Sequence, residues 1–261
     1  MLRLPVSGIS VTIRQPTGRE DLLLQEPSWS GLGTCLALAE SLARSASGEG
    51  VDWSDLTMTD MEALMLLLRR TTLGNSVRAE TQCLRSDCGA RVDVNFRVDE
   101  YLANRKPHVP RGIEKLAESG WFSVKGKAVR FRLPCCKDLL SISAAGIHSN
   151  EARRLLARIC VEPPSVPAQL QQRIERAMQV IAAPLSGDLA GTCPECNHGL
   201  SIRFDVVSFV LREMRDHALS IYQDIHLLAL HYKWPEEKIL ELPRKRRLHY
   251  AEMIRSERSV A

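Results

Sequence analysis

Two short stretches of the chain alternate between apolar and polar residues. Val92, Val94 and Phe96 are separated by Asp93 and Asn95, and Leu200, Ile202 and Phe204 by Ser201 and Arg203. Period-two alternation is the signature of a strand with one buried face. Elsewhere the apolar residues recur at three and four, as in helices with one buried face. Residues 34–45 are rich in Ala and Leu, and Met61, Leu64, Met65 and Leu68 share a face, with Thr59 and Glu62 at capping-box spacing before them. Leu170, Ile174, Ala177, Met178 and Ile181 form a second such face. From Val210, the residues Met214, Ala218, Ile221, Ile225, Leu228 and Tyr232 predict one long amphipathic helix over about 206–232. Pro235 and Pro243 each suit the start of a further helix, the first with Glu236 and Glu237 in its opening turn. The Pro- and Ser-containing stretches 106–112 and 161–167 read as loops.

These patterns occur twice. Setting Cys88 on Cys196, an offset of 108, places Val92 on Leu200, Val94 on Ile202, Phe96 on Phe204, Val98 on Val206, Tyr101 on Phe209 and Leu102 on Val210 without a gap. Further back, VTIRQPTGREDLLL from Val11 parallels VRFRLPCCKDLL from Val129, with Asp21 and Asp138 as the acids ahead of the leucines. A period on the order of a hundred residues implies two related halves. The expected fold is α+β and mostly helical: a first pseudo-repeat over 1–105, a second over 106–205, and a C-terminal helical arm over 206–261.

Composition narrows the class. With 44% hydrophobic and 25% charged residues, the chain has the make-up of a globular protein able to bury its own core. No apolar run is long enough to cross a bilayer and the start lacks a signal-peptide core, so a cytoplasmic location is expected, with no membrane partner. The net charge of +4 is mild, and the basic residues are dispersed apart from Arg244, Lys245, Arg246 and Arg247.

The eight cysteines are too sparse for a secreted disulfide scaffold. Cys193 and Cys196 form a C-x2-C knuckle, and Cys83 and Cys88 form a C-x4-C knuckle, each directly ahead of an alternating strand. If the halves pair about a pseudo-twofold, both knuckles meet at one Zn2+ as a composite, zinc-ribbon-like site, and four thiolates close its coordination in a structural role. His198 is an alternative ligand. Cys35, Cys135, Cys136 and Cys160 sit within helical or strand-to-helix patterns, where a cysteine is usually a small core residue. A catalytic zinc is disfavoured, because neither H-E-x-x-H nor a His-x-Glu ahead of P-C-x-x-C occurs. No phosphate loop or nucleophile elbow is present either, so no enzyme is expected.

The order of VTIRQPTGREDLLL, TDMEALMLLLRRTTLGNSV, VRFRLP, LLARICV, CPEC and IHLLALHYKWPEEKILELPRKRRLHY resembles the baseplate hub assembly chaperones of T-even-type contractile phage tails. Relatives of that family occur in prophage tails and contractile injection systems. The first knuckle, Cys83 to Cys88, departs from the shorter one that the resemblance implies. The resemblance implies a non-enzymatic protein that assists assembly of the central hub, with a hub or tape-measure protein as partner. It also points to the arm as the contact region, through Tyr232, Trp234, Ile239, Leu242, Arg246, Arg247 and Tyr250. A permanent structural subunit retained in the finished tail has the same sequence features. A zinc-ribbon nucleic-acid binder is the remaining class, disfavoured because LSIRF and VDVNFR carry one arginine each.

Overall fold

The computed structural model describes residues 2–26, 31–105, 107–147 and 149–260; Lys106, the first residue of the expected 106–112 loop, and His148 lie outside them. The chain opens with β1 (Leu2–Arg3), β2 (Ser10–Ile13), α1 (Gly18–Gln25), α2 (Gly31–Leu42), β3 (Ala43–Ser45) and α3 (Met58–Leu73). The hairpin β4 (Ser76–Gln82) and β5 (Arg91–Arg97) then leads into α4 (Val98–Ala103). Next come β6 (Ile113–Lys115), β7 (Trp121–Val124), β8 (Arg130–Arg132), α5 (Cys136–Ala144), α6 (Ser149–Cys160), β9 (Val161–Glu162) and α7 (Ala168–Ile181). A second hairpin, β10 (Gly187–Thr192) and β11 (Gly199–Phe204), leads into α8 (Val206–Ala218). Finally come α9 (Ile221–Tyr232), α10 (Glu236–Leu240) and α11 (Arg244–Val260). The fold is α+β and mostly helical, its strands gathered in small antiparallel sheets ordered β1-β2-β3, β4-β5, β6-β7-β8-β9 and β10-β11.

One succession of elements occurs twice. β2 returns to β3 through two helices, and β8 returns to β9 through two helices. The registers agree at an offset of 118 (130 minus 12): Thr12 faces Arg44 and Ile13 faces Ala43, while Arg130 faces Glu162 and Phe131 faces Val161. The helix after the inner strand is started the same way in both places. The Glu20 carboxylate accepts from Thr17 N at 2.8 Å and Thr17 Oγ1 at 3.0 Å. The Asp138 carboxylate accepts from Cys135 N at 3.0 Å and Cys135 Sγ at 3.1 Å. Arg14 and Arg132 pair with these acids. The counterpart of Asp138 is therefore Glu20 rather than Asp21, and Asp21 serves another contact.

The main core is built around α3, whose residues from Met61 to Leu68 are all buried. Such a helix, buried nearly all round, has to be surrounded by others. α8 covers it, packing on α1, α2 and α3, and Glu213 of α8 forms a two-pronged pair with Arg69 of α3 at 2.8 and 3.2 Å. A second core joins the β6–β9 sheet to α7 through Phe122, Phe131, Val161, Ile174, Ala177 and Ile181. A small third core of Leu228, Ile239 and Ile254 holds α9, α10 and α11 together.

Five expectations are corrected. The long helix over 206–232 is two helices interrupted at Leu219 and Ser220. Its apolar period continues, but the surface it faces changes: α8 enters the main core and α9 the small C-terminal one. The arm therefore does not begin at 206, since α8 is part of the main core. Residues 43–45 and 161–162, expected in a helix and a loop, are strands. Thr59 and Glu62 do not open α3 either. The cap is Thr57, whose Oγ1 accepts from Asp60 N at 3.2 Å. Two residues into the helix, Thr59 instead donates to Ala183 O, and Glu62 accepts from Leu185 N at 2.6 Å and Ser186 Oγ at 2.6 Å. Both side chains tie α3 to the strand-bound segment after α7.

Candidate metal centre

Each hairpin ends in a tight turn that carries its cysteine pair. Cys83 N donates to Ala90 O at 2.8 Å and Cys193 N to His198 O at 2.9 Å, closing the two turns in the same way. Past the second cysteine of each pair the backbone turns left-handed, at Gly89 (φ 58°) and Asn197 (φ 55°). Gly and Asn are the residues that adopt this conformation at least cost. The two extra residues of the first knuckle are absorbed between Cys83 and Cys88, where Leu84 stands 85% exposed.

The turns meet. Cys83 Sγ lies 3.7 Å from Cys196 Sγ, and Cys88 Sγ lies 3.8 Å from Cys193 Sγ. All four ligand atoms fall within 4.8 Å of one another, close enough to hold one metal ion. A tetrahedral ion with bonds of about 2.3 Å to sulfur requires sulfur–sulfur edges of about 3.8 Å. Both separations match that edge, so the donor set fits a tetrahedral thiolate site.

The environment favours thiolates unevenly. At Cys193, burial works against ionisation, but N–H groups of Cys196 and Glu195 outweigh it and bring the thiol down to about 7. At Cys88 the Ala90 N–H favours the thiolate, yet the sulfurs of Cys196 and Cys193 together with burial push the thiol up to about 12. Four sulfurs this close cannot all ionise without a cation among them, which is the electrostatic case for a metal.

Beneath the sulfurs, Val92 packs with Leu200, and Phe96, Tyr101, Phe204 and Phe209 form a ring cluster with centroid separations of 5.3 to 5.6 Å. These are the residues matched by the offset of 108, and the corresponding hairpin side chains Val92 and Leu200, and Phe96 and Phe204, face one another, with Tyr101 of α4 and Phe209 of α8 both against Phe204. Tyr101 Oη donates to Leu185 O, tying the cluster to the segment held by Glu62.

His198 is exposed and stands outside the four-sulfur cluster. The other four cysteines are buried free thiols, and burial pushes Cys35, Cys136 and Cys160 up to about 12, as inert core residues.

The expected partner-contact residues divide. Tyr232, Trp234 and Tyr250 form an aromatic cluster at the surface of the C-terminal unit, and Arg246 is exposed beside Tyr250. Leu242 is half-buried against the small core. Ile239 and Arg247 are fully buried and so are not available to a partner. Arg247 instead reaches Asp21 of α1 at 2.5 Å and Asp224 of α9 at 3.3 Å, while Arg244 also pairs with Asp21 and Arg255 with Asp224. This five-residue ionic network has no signature in the linear sequence, because Asp21 and Arg247 stand 226 positions apart.

No protein-family model, curated protein or solved structure matches this chain. Among the described residues, no helix is long and apolar enough to cross a membrane.

Proposed function

We propose that this chain is a non-enzymatic, zinc-clipped protein that assists assembly of the central hub of a contractile, phage-type tail baseplate. The observation that carries the zinc reading is the pair of sulfur–sulfur separations, 3.7 and 3.8 Å, made by knuckles from two distant hairpins. Zinc is the metal that four thiolates in tetrahedral array most commonly select, and such a closed site leaves no position for a reacting water. Its role is to clamp two repeats of one hairpin unit, so that the faces on either side keep a fixed relation.

The hub reading rests on the sequence resemblance and is supported by the surface of the C-terminal unit. Tyr222, Leu230, Tyr232 and Met253 are exposed there, and Tyr222 and Leu227 border a shallow cleft of about 410 Å³ with His226 and Gln223. Exposed aromatic and aliphatic side chains gathered on one small unit suit a protein contact. In this reading the α9–α11 unit covers an apolar surface of a hub or tape-measure protein until the next subunit replaces it.

The test uses point variants, since truncation of α11 would strip Asp21 and Asp224 of their buried arginines. A tagged chain is expressed in its native host during particle production, and free lysate and finished particles are compared by mass spectrometry. Co-recovery with hub or tape-measure proteins in the free fraction alone, weakened by Tyr222→Ala with Tyr232→Ala, is the expected result. Stoichiometric recovery in finished particles makes the chain a structural subunit, and recovery with neither rejects the tail reading.

A further inference from the structure

The chain's positive charge is concentrated in one region of the fold. Residues 106–181, which build the second core, contain 13 Lys and Arg against 6 Asp and Glu, an excess larger than the +4 of the whole chain. Much of it gathers around α7. Between α7 and the segment that leads into β6 lies a cleft of about 360 Å³, with Arg111, Arg173 and Arg176 around an apolar floor of Ile113, Ala177 and Val180. Pro110 and two glutamines complete the lining, and it includes no acid. Among the described residues, none of the three arginines has a carboxylate within 4.0 Å.

Arg173 is held in place. Its Nη2 donates to Gly112 O at 3.3 Å, and Gly112 has a left-handed φ of 79°. A Cβ at Gly112 would overlap the Arg173 guanidinium, so glycine is what lets the arginine lie against the turn. On the opposite flank of α7 a second cleft of about 580 Å³ carries Arg153, Arg154 and Arg158. There Arg153 is already engaged by Glu175.

Guanidinium groups are forks that grip carboxylates two bonds at a time, and these three, exposed around the cleft, have no carboxylate partner of their own among the described residues. The apolar floor asks for a ligand with aliphatic as well as anionic groups. No aromatic ring lines either cleft, so there is no platform for stacking bases. We propose that the cleft beside α7 binds an acidic, partly aliphatic segment of a partner protein, with Arg111, Arg173 and Arg176 as its carboxylate-binding residues. This site is separate from both the cysteine cluster and the aromatic surface of α9–α11.

The test is fluorescence anisotropy on the full chain with a labelled peptide of Glu, Leu and Ser, compared with the same peptide carrying Lys for Glu and with an oligothymidylate of equal charge. The expected result is saturable binding of the acidic peptide, weakened about 10-fold or more by Arg173→Gln with Arg176→Gln, as loss of charge-assisted hydrogen bonds predicts. Arg78→Gln with Arg91→Gln, which removes the same charge from the first hairpin, should change it less than about 2-fold. Gly112→Ala should weaken binding with all charges retained, with circular dichroism confirming the fold. Absent binding, an equal loss in the hairpin control, or tighter binding of the oligothymidylate would each overturn the proposal.

Discussion

Cys83 Sγ lies 3.7 Å from Cys196 Sγ, although 113 residues separate them, and each cysteine belongs to a different hairpin. Neither two-stranded hairpin has a substantial core of its own, since an isolated hairpin is marginal in water. A metal at the four sulfurs therefore stabilises their mutual arrangement directly. The purified protein is expected to carry about one zinc per chain, measured by plasma mass spectrometry. Cys196→Ser, or prolonged chelation, should lower the thermal midpoint by roughly 10 °C, equivalent to about 3–5 kcal/mol for a chain of this size. Full-strength stability without metal would show that the ring cluster of Phe96, Tyr101, Phe204 and Phe209 is sufficient to hold the hairpins.

Arg247 holds the C-terminal unit by charge as well as by packing. It is completely buried between Asp21 and Asp224, and one of its own nitrogens, Nη1, has no hydrogen-bond partner. Breaking a buried ion pair from one side leaves the other side's charge uncompensated, at a cost of about 3–5 kcal/mol. Arg247→Met should come near the lower end of that range, because Arg244 and Arg255 still serve the two aspartates. Hydrogen exchange should then rise across α9–α11 while α3 stays protected. A uniform loss of protection would mean that the unit and the main core unfold together.

How much of this was legible in the sequence depends on the range over which each signal acts. The cysteine knuckles and their strands were legible because ligand spacing and period-two alternation are local, and the offset of 108 between Cys88 and Cys196 is preserved through Tyr101 and Phe209. The identity of the capping residue of α3 was not, because Thr59 and Glu62 satisfy the spacing of a cap while lying inside the helix. The break at Leu219 and Ser220 was hidden because the apolar period runs through it unchanged. Asp21 was legible only as an acid ahead of leucines and so was matched to Asp138 in place of Glu20, and nothing near it in sequence reveals its partner Arg247 more than two hundred residues away.

Glu62 shows what that misread cap does instead. From inside α3 it receives Leu185 N and Ser186 Oγ, both at 2.6 Å, and Ser186 N at 3.2 Å. Ser186 Oγ in turn accepts from Val206 N at the start of α8. Glu62→Ala leaves buried donors unsatisfied and should destabilise the chain by about 2–4 kcal/mol in urea titrations. Thr59→Val, which removes a single donor to Ala183 O, should cost about 1 kcal/mol. Comparable costs for the two would indicate that the segment 183–186 relaxes to find other partners.

Asp138 makes the acid limb of stability testable. Burial alone would raise its carboxyl, but hydrogen bonds from Arg132 and from Cys135 prevail and hold it at about 2. An unfolded aspartate titrates near 3.9, so the folded carboxyl is the stronger acid. Its contribution is then fully present above about pH 4 and is lost as the pH falls from about 4 towards 2. The difference corresponds to at most about 3 kcal/mol, and to less than that because the partner Arg132 is 26% exposed and solvent screens the pair. Urea midpoints of the wild type and Asp138→Asn should therefore differ most at neutral pH and converge as the pH approaches 2. A gap that stays constant across that window would assign the stabilisation to the shape of the Cys135 turn and not to the charge of the carboxylate.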